Sequence, residues 1–312
     1  MKKSVLKNSI IFLCLIILSG CSFKFYFNTY EDAYSQYLEE ERKKEEERER
    51  KIKSRNYIDE NMNLYFTLLN NEEKQIYYDI LENANSYNKE IIELTYQLPL
   101  DNVHNAFLSV MYDNPELFWL KSYLYYTFEN EDKIPEIVLK YYEDDEDLEL
   151  MKNNINNAVL EIVTEANKLS SNIEKEKYVH DTLASKIEYD FSMKEDQRAY
   201  GALINNKSVC SGYAKAFQLV MRKLNIPTYY ISGDITKDGD VGSHAWNLVK
   251  LENELYNVDL TWDDVIDQYG KNRIIYRYFN VSDDTINQNH VRKDLSIKLP
   301  NALGGKYSNM YN

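Results

Sequence analysis

Residues 208–227 have the sequence SVCSGYAKAFQLVMRKLNIP. Apolar residues recur at helical spacing from Ser211 onward and Pro227 ends the pattern, so this segment predicts a helix. Cys210 would then lie at the helix N-terminus, where unpaired backbone N–H groups and the positive end of the helix dipole stabilise a thiolate. A thiol in that position is a candidate nucleophile.

A histidine and an aspartate follow in two segments that predict neighbouring strands. The segment GSHAWNLVKL at residues 242–251 contains His244, and LYNVDLTW at residues 255–262 contains Asp259. The short connection between them predicts an antiparallel hairpin with the two side chains close together. The imidazole would take the proton of Cys210, and the carboxylate would hold the tautomer of the imidazole.

Each of these three residues also has an ordinary structural explanation. A lone cysteine is usually packed as a small apolar side chain, and a lone histidine is usually a partner in a hydrogen-bond network. An aspartate before a turn is usually a cap. The combination of the three favours a thiol-nucleophile triad.

Three segments together resemble the transglutaminase-like family: VCSGYA at 209–214, HAWN at 244–247 and VDLTWDD at 258–264. They occur in the order that the family has, and the resemblance extends over roughly residues 155 to 300. It implies an α+β domain of papain-like architecture, in which the cysteine-bearing helix packs on an antiparallel sheet. It also implies an acyl-enzyme mechanism on amides.

The resemblance assigns a role to each member of the triad. Cys210 would attack an amide carbonyl, His244 would act as general base and then as general acid, and Asp259 would orient the imidazole. The backbone N–H of Cys210 is a candidate donor to the oxyanion. Tyr200, in the family-like segment AYGAL at 199–203, is the candidate for the second donor, with packing as the alternative.

Two tryptophans flank the predicted triad on the two strands. Trp246 and Trp262 are candidates for walls that keep water out of the site, although core packing would explain both. Asp263 and Asp264 could suggest a metal site, but they predict a turn, because no histidine cluster, EF-hand loop or cysteine pair accompanies them. His104, His180 and His290 are scattered outside the family-like segments, so the sequence predicts no metal and no cofactor.

The acyl acceptor and the substrate remain open at the level of sequence. Water as acceptor would give a hydrolase or deamidase, whereas a lysine amine would give an isopeptide cross-link. A peptidase of the same fold differs from the cross-linking enzyme only in the acceptor. The alternative of another class is a non-catalytic, surface-anchored module that uses the same fold to bind a peptide or to assemble proteins.

Residues 1–20 predict a lipoprotein signal peptide. Lys2, Lys3 and Lys7 give a basic start, and the apolar run at 10–18 is too short for a comfortable membrane span. The sequence LSGC that ends at Cys21 resembles a bacterial lipobox, which implies lipid on Cys21. An uncleaved anchor or an ordinary signal peptide is the alternative.

The signal sequence predicts an extracytoplasmic protein, anchored by lipid to the bacterial cell membrane. Envelope proteins or peptidoglycan peptides are the substrates that such a location would offer. A net charge of −14 without a long basic tract argues against a nucleic-acid partner, which needs clustered Lys and Arg.

Residues 21–55 predict a charged helical stalk. Many opposite charges lie four residues apart in the stretch at 39–51, which lacks Gly and Pro. Because apolar heptad positions are also missing there, a spacer is favoured over a coiled coil.

Two further domains are predicted after the stalk. Residues 56–150 predict a small α+β domain, with a helix at 71–81 and strands at 117–128 and 137–142. The acidic stretch at 143–147 predicts a boundary. The catalytic domain would occupy residues 151–312 and begin with helices at 151–172 and 174–187.

Overall fold

The computed structural model describes residues 22–127, 131–142, 148–193, 197–237, 239–266 and 272–311. The predicted signal peptide, the lipid site at Cys21 and the acidic boundary at 143–147 lie outside these residues. The chain divides into two compact units, residues 1–56 and residues 57–312.

In the first unit, helix α1 (Ser22–Lys53) runs through the charged segment. Ion pairs of helical spacing line its exposed surface, among them Arg42 with Glu39 at 2.7 Å and Lys53 with Glu49 at 3.3 Å. Its 32 residues correspond to a length of about 48 Å. Within the described ranges, no helix has the length and apolar character needed to cross a membrane. The stalk remains a prediction.

The second unit begins with helices packed on a three-stranded antiparallel sheet of order β1-β3-β2. Its elements are α2 (Leu64–Thr67), α3 (Asn71–Asn85), β1 (Ile92–Pro99), α4 (Leu100–Asp113), β2 (Leu120–Tyr126) and β3 (Lys133–Tyr141). The predicted helix at 71–81 is confirmed, and a capping box from Asn70 and Glu73 fixes its start. The predicted strands are confirmed with shifted ends. The sequence analysis did not find β1 and α4, which follow one another without a turn.

The remainder of the unit carries the predicted catalytic segments. Its elements are α5 (Leu148–Ala166), α6 (Asn172–Lys186), β4 (Glu188–Tyr189), α7 (Ala199–Ile204), β5 (Lys207–Ser208), α8 (Cys210–Lys223), β6 (Thr228–Lys237), β7 (Asp240–Leu251), β8 (Glu254–Val258), α9 (Leu260–Asp263), β9 (Asp264–Ile266), β10 (Asn272–Ile274), α10 (Asp283–Ile286) and β11 (His290–Arg292). The first predicted helix ends earlier than expected because Ser171 caps the next one.

Helix α8 packs on a four-stranded antiparallel sheet of order β11-β6-β7-β8. This confirms the predicted α+β class with a cysteine-bearing helix on an antiparallel sheet. The predicted hairpin is present, since β7 pairs with β8 and Leu251 lies opposite Glu254. The predicted strand at 255–262 is too long, because β8 ends at Val258 and Asp259 caps α9.

Buried polar contacts join the two parts of the second unit. The Tyr65 hydroxyl lies 2.5 Å from the Tyr230 carbonyl of β6, to which it donates, and Gln218 of α8 donates to the Tyr112 carbonyl at 2.8 Å. The main apolar core contains Phe66 as well as Phe279. The predicted domain boundary near residue 150 therefore lies within one compact unit, and it stays a prediction.

A second polar cluster is buried on α6. Glu176 and His180 are fully buried one turn apart, and Asn280 donates to Glu176 Oε2 at 3.0 Å. Burial raises the pKa of Glu176 to about 8, against the opposing effects of Asn280 and His180. The folded protein therefore keeps Glu176 protonated at pH values where the unfolded chain has ionised it.

Replacing this carboxyl by an amide should change the pH dependence of stability. Protonated Glu176 makes its full contribution to the free energy of unfolding below pH 4.5, and this contribution is lost as pH rises through about 8. Glu176→Gln cannot ionise, so its free energy of unfolding should exceed that of wild type by on the order of 2 kcal/mol at pH 9 and differ little at pH 5. Urea unfolding at both pH values measures this. Glu161→Gln, at an exposed position of α5, is the control, and an equal difference at both pH values for Glu176→Gln would contradict the prediction.

Candidate active site

Cys210 is the first residue of α8 and is partly exposed. One residue, the N-cap Val209, separates it from β5, and Cys210 lies next to the unpaired N–H groups of the first helical turn. Gly212 is required by this close approach, because a Cβ there would overlap the Ser208 hydroxyl. The glycine of the VCSGYA segment therefore allows α8 to begin against β5.

His244 and Asp259 meet because of the register of the hairpin. Asn247 of β7 pairs with Val258 of β8, so the same register places Asp259 opposite Trp246. Side chains two residues apart on a strand share a face, which makes His244 the diagonal neighbour of Asp259. His244 Nε2 lies 2.8 Å from Asp259 Oδ2.

Asp259 is a fully buried carboxylate at the N-terminus of α9. Its Oδ1 accepts the backbone N–H groups of Thr261 at 3.1 Å and Trp262 at 3.3 Å. Burial acts to raise the pKa of Asp259, but the charge of His244 and hydrogen bonds from His244 and His290 outweigh burial and hold it well below its usual range. The carboxylate is therefore ionised across the physiological pH range.

His244 is a buried imidazole that is held in the protonated form. Burial is the largest influence and opposes protonation, yet the charge and hydrogen bond of Asp259, with further contributions from Cys210, raise the pKa of His244 to about 10. Because Nε2 is bonded to Asp259, Nδ1 is the nitrogen left to bond the thiol. The structure thus brings Cys210, His244 and Asp259 together in the order that the sequence predicts.

A fourth residue joins this group. His290, the first residue of β11, is fully buried, and its Nε2 lies 3.0 Å from the same Oδ2 of Asp259. The sequence analysis did not include His290 among the candidate site residues, because it lies outside the family-like segments. No local signal marks it, because the contact spans 31 residues and depends on how β11 pairs with β6.

The two predicted wall residues surround the imidazole. Trp246 is buried and stacks on His244 with ring centroids 6.3 Å apart, and its indole N–H donates to Asn257. Trp262 is partly exposed at 5.9 Å from the His244 ring. Both tryptophan rings thus pack near the imidazole, and Trp246 also belongs to the core. Their role as walls that keep water out stays a prediction.

Two tyrosines are relevant to the oxyanion. The ring of Tyr200 stacks on Phe118 at 5.2 Å, so packing accounts for the position of the ring, and its role as donor stays a prediction. Tyr189 of β4 was not proposed from the sequence. Burial raises the pKa of Tyr189, and the electrostatic influence of the neighbouring Cys210 and Asp259 raises it further, so the phenol lies near the site.

An open cleft of about 620 Å³ adjoins the site at Trp262. Tyr278 and Asn289 form part of its lining, and Lys237 and Arg277 contribute two cationic side chains.

One group of side chains within the described residues has the composition of a metal site. The donor atoms of His244, Asp259 and His290 lie within 4.8 Å of one another. Both imidazole Nε2 atoms already hydrogen bond to one carboxylate oxygen, so these atoms satisfy each other. Asp263 and Asp264 are not part of the group; Tyr213 donates to Asp264 at 3.0 Å.

Residues 160–260 match the sequence model of the transglutaminase-like superfamily. These residues form a transglutaminase-like domain. The matched range includes Cys210, His244 and Asp259, whereas His290 lies beyond it. No curated protein matches the chain.

Solved structures to which the chain is similar include a TGase and the periplasmic domain of TgpA from Pseudomonas aeruginosa bound to ethylmercury. The TGase is 15% identical, with a TM-score of 0.35, and the match covers 58% of this chain and 53% of that protein. The TgpA domain is 15% identical, with a TM-score of 0.28 and coverages of 42% and 57%. The chain therefore spans little more than half the length of these structures.

The charge of Asp259 should control the protonation of His244. In Asp259→Asn, burial of the imidazole remains while the main attraction for its proton is lost. The pKa of His244 should fall from about 10 to about 6.5 or lower. An NMR titration of the imidazole nitrogens measures this, with Asp240→Asn, exposed at the start of β7, as the control. A value that stays near 10 would show that Asp259 is not the source of the shift.

Proposed function

We propose that the protein is a thiol enzyme that performs acyl transfer or hydrolysis on protein or peptide amides. One observation supports this above all: His244 lies between Cys210 and the buried carboxylate of Asp259, whose charge and hydrogen bond raise the pKa of the imidazole to about 10. An imidazolium stabilises a thiolate beside it, and the start of α8 adds the partial positive charge of its N–H groups.

The reaction follows from these positions. The Cys210 thiolate attacks the amide carbonyl carbon, and the electron pair of the C=O bond moves to oxygen. The backbone N–H of Cys210 would donate to this oxyanion, with Tyr189 and Tyr200 as candidates for a further donor. The C–N bond then breaks, and His244 gives its proton to the leaving amine.

The second half of the reaction restores the enzyme. Water or a primary amine attacks the thioester, and neutral His244 takes the proton that this acceptor loses. The C–S bond breaks, and the acyl group leaves as an acid or as a new amide. Asp259 keeps its charge throughout and holds the imidazole in position.

The cleft next to Trp262 is a suitable place for the substrate chain. Trp262, which lines it, lies 5.9 Å from the His244 ring, so an extended peptide in the cleft would pass close to the imidazole. We also propose a lipid-anchored location in the cell envelope, which the signal-like residues 1–20 and Cys21 support. Envelope proteins or peptidoglycan peptides would then be the available substrates.

The reactivity of the thiol tests the proposed ion pair. Iodoacetamide labelling of the full chain, followed by mass spectrometry of the Cys210 peptide, gives a rate at each pH. At pH 6 wild type should react at least about tenfold faster than His244→Ala, because free thiols ionise only near pH 8.5. His104→Ala, exposed on α4, should behave as wild type. Profiles that rise only near pH 8.5 in every variant would contradict an activated thiol.

The acceptor can be identified by its products. With a glutamine-containing protein and a fluorescent primary amine, a transferase should incorporate the amine, a deamidase should release ammonia alone, and a peptidase should shorten the chain. Cys210→Ala should abolish whichever product forms, since the thioester cannot be made. If no product forms and Cys210→Ala binds peptides as wild type does, the protein is a non-catalytic binding module.

A further inference from the structure

We propose that His290 is a positioning residue that holds the Asp259 carboxylate for His244. This inference rests on the proposed function, since it concerns the same thiol site. It adds to the three residues of the family-like segments a fourth that lies outside the range matched by the superfamily model. The supporting observations are the hydrogen bonds of Asp259, the pairing of β11 and the surroundings of the His290 ring.

The two oxygens of the Asp259 carboxylate have different hydrogen-bond partners: one accepts from backbone N–H groups and the other from histidines. Oδ1 accepts the N–H groups of Thr261 and Trp262, which fixes one side of the group. Oδ2 receives both Nε2 atoms, from His244 at 2.8 Å and from His290 at 3.0 Å. Without His290, Asp259 Oδ2 would have the imidazole of His244 as its single hydrogen-bond partner. The carboxylate could then move together with that imidazole.

His290 belongs to β11, which lies on the side of β6 opposite to β7. His290 pairs with Ile235 of β6, and Gly233 of β6 pairs with His244 of β7. Directly paired residues share a face, so His290 and His244 project from the same face with Gly233 between them. A side chain at Gly233 would overlap the Trp246 ring. This glycine therefore leaves the space in which residues of β11 and β7 meet.

Several aromatic rings and one amide hold the His290 ring. The rings of Trp262, Trp246 and Tyr278 lie at 4.8, 5.0 and 5.4 Å from it. Its Nδ1 lies 2.6 Å from Asn289 Oδ1, and Asn289 Nδ2 donates to the Tyr278 hydroxyl at 2.8 Å. The titratable groups that face the ring are Asp259, His244 and Tyr278.

Both nitrogens of His290 face oxygen atoms, since Nε2 lies 3.0 Å from Asp259 Oδ2 and Nδ1 lies 2.6 Å from Asn289 Oδ1. The ring is therefore fixed at two points, and Nε2 is the nitrogen that holds the carboxylate.

Two substitutions separate the hydrogen bond from the packing of the ring. His290→Phe keeps a ring among the tryptophans but has no N–H for Asp259. His290→Gln loses the ring but can place an N–H where Nε2 was. The proposal predicts that the Gln variant resembles wild type in reactivity and that the Phe variant does not, whatever their order of thermal stability.

The first measurement is the pH profile of iodoacetamide labelling at Cys210 in the full chain. At pH 6, His290→Phe should react about tenfold more slowly than wild type, and His290→Gln within about threefold of it. At pH 9 the three rates should converge, because any cysteine is then largely ionised. His104→Phe, at an exposed histidine of α4, is the matched control and should keep the wild-type profile. Melting temperatures of all variants verify folding.

Two outcomes would overturn the proposal. A folded His290→Phe with the wild-type profile would show that Asp259 needs no second partner, and equal losses in Phe and Gln variants would leave only a packing role. Crystal structures provide a readout that does not need reactivity: the distance from His244 Nε2 to Asp259 Oδ2 should lengthen in the Phe variant and stay near 2.8 Å in the Gln variant. If wild type itself labels as a free thiol, the proposed function fails, and these distances still test His290.

Discussion

The buried carboxylate of Asp259 is the interaction on which the site depends. An ionised group without exposure to water must be compensated by charge and hydrogen bonds, and here four donors supply them. These donors come from three separate elements, β7, α9 and β11. The carboxylate therefore ties the middle of the sheet to its edge strand and to the helix that follows β8. The raised pKa of His244 is the chemical consequence of that arrangement.

Local patterns were sufficient to predict the elements that carry the triad. The segment from Cys210 to Pro227 has helical periodicity and a stop signal, and the hairpin of β7 and β8 has a short connection between apolar runs. Such signals act over a few residues, so they can be found in one sequence. The end of β8 was missed because the predicted strand continued to residue 262, whereas the Asp259 side chain caps α9.

Contacts between distant segments could not be predicted in this way. His290 has no telling neighbours in sequence, and only the pairing of β11 with β6 brings it to Asp259. Gly233 offered the one available signal, since a glycine inside a strand often marks a close approach. The position of Tyr200 depends in the same way on Phe118, which precedes it by many residues and belongs to the segment predicted as a separate domain.

The Tyr65 hydroxyl gives that earlier segment a mechanical role. It donates to the Tyr230 carbonyl, and it also lies 2.7 Å from Ser296 Oγ, which accepts the N–H of Ser232. Strand β6 is thereby braced next to the stretch that carries Gly233 and pairs with β11. Sequence variation around Tyr65 would consequently tune the geometry of the thiol site from a distance, and relatives that share all three family-like segments could differ in reactivity because of residues in this brace.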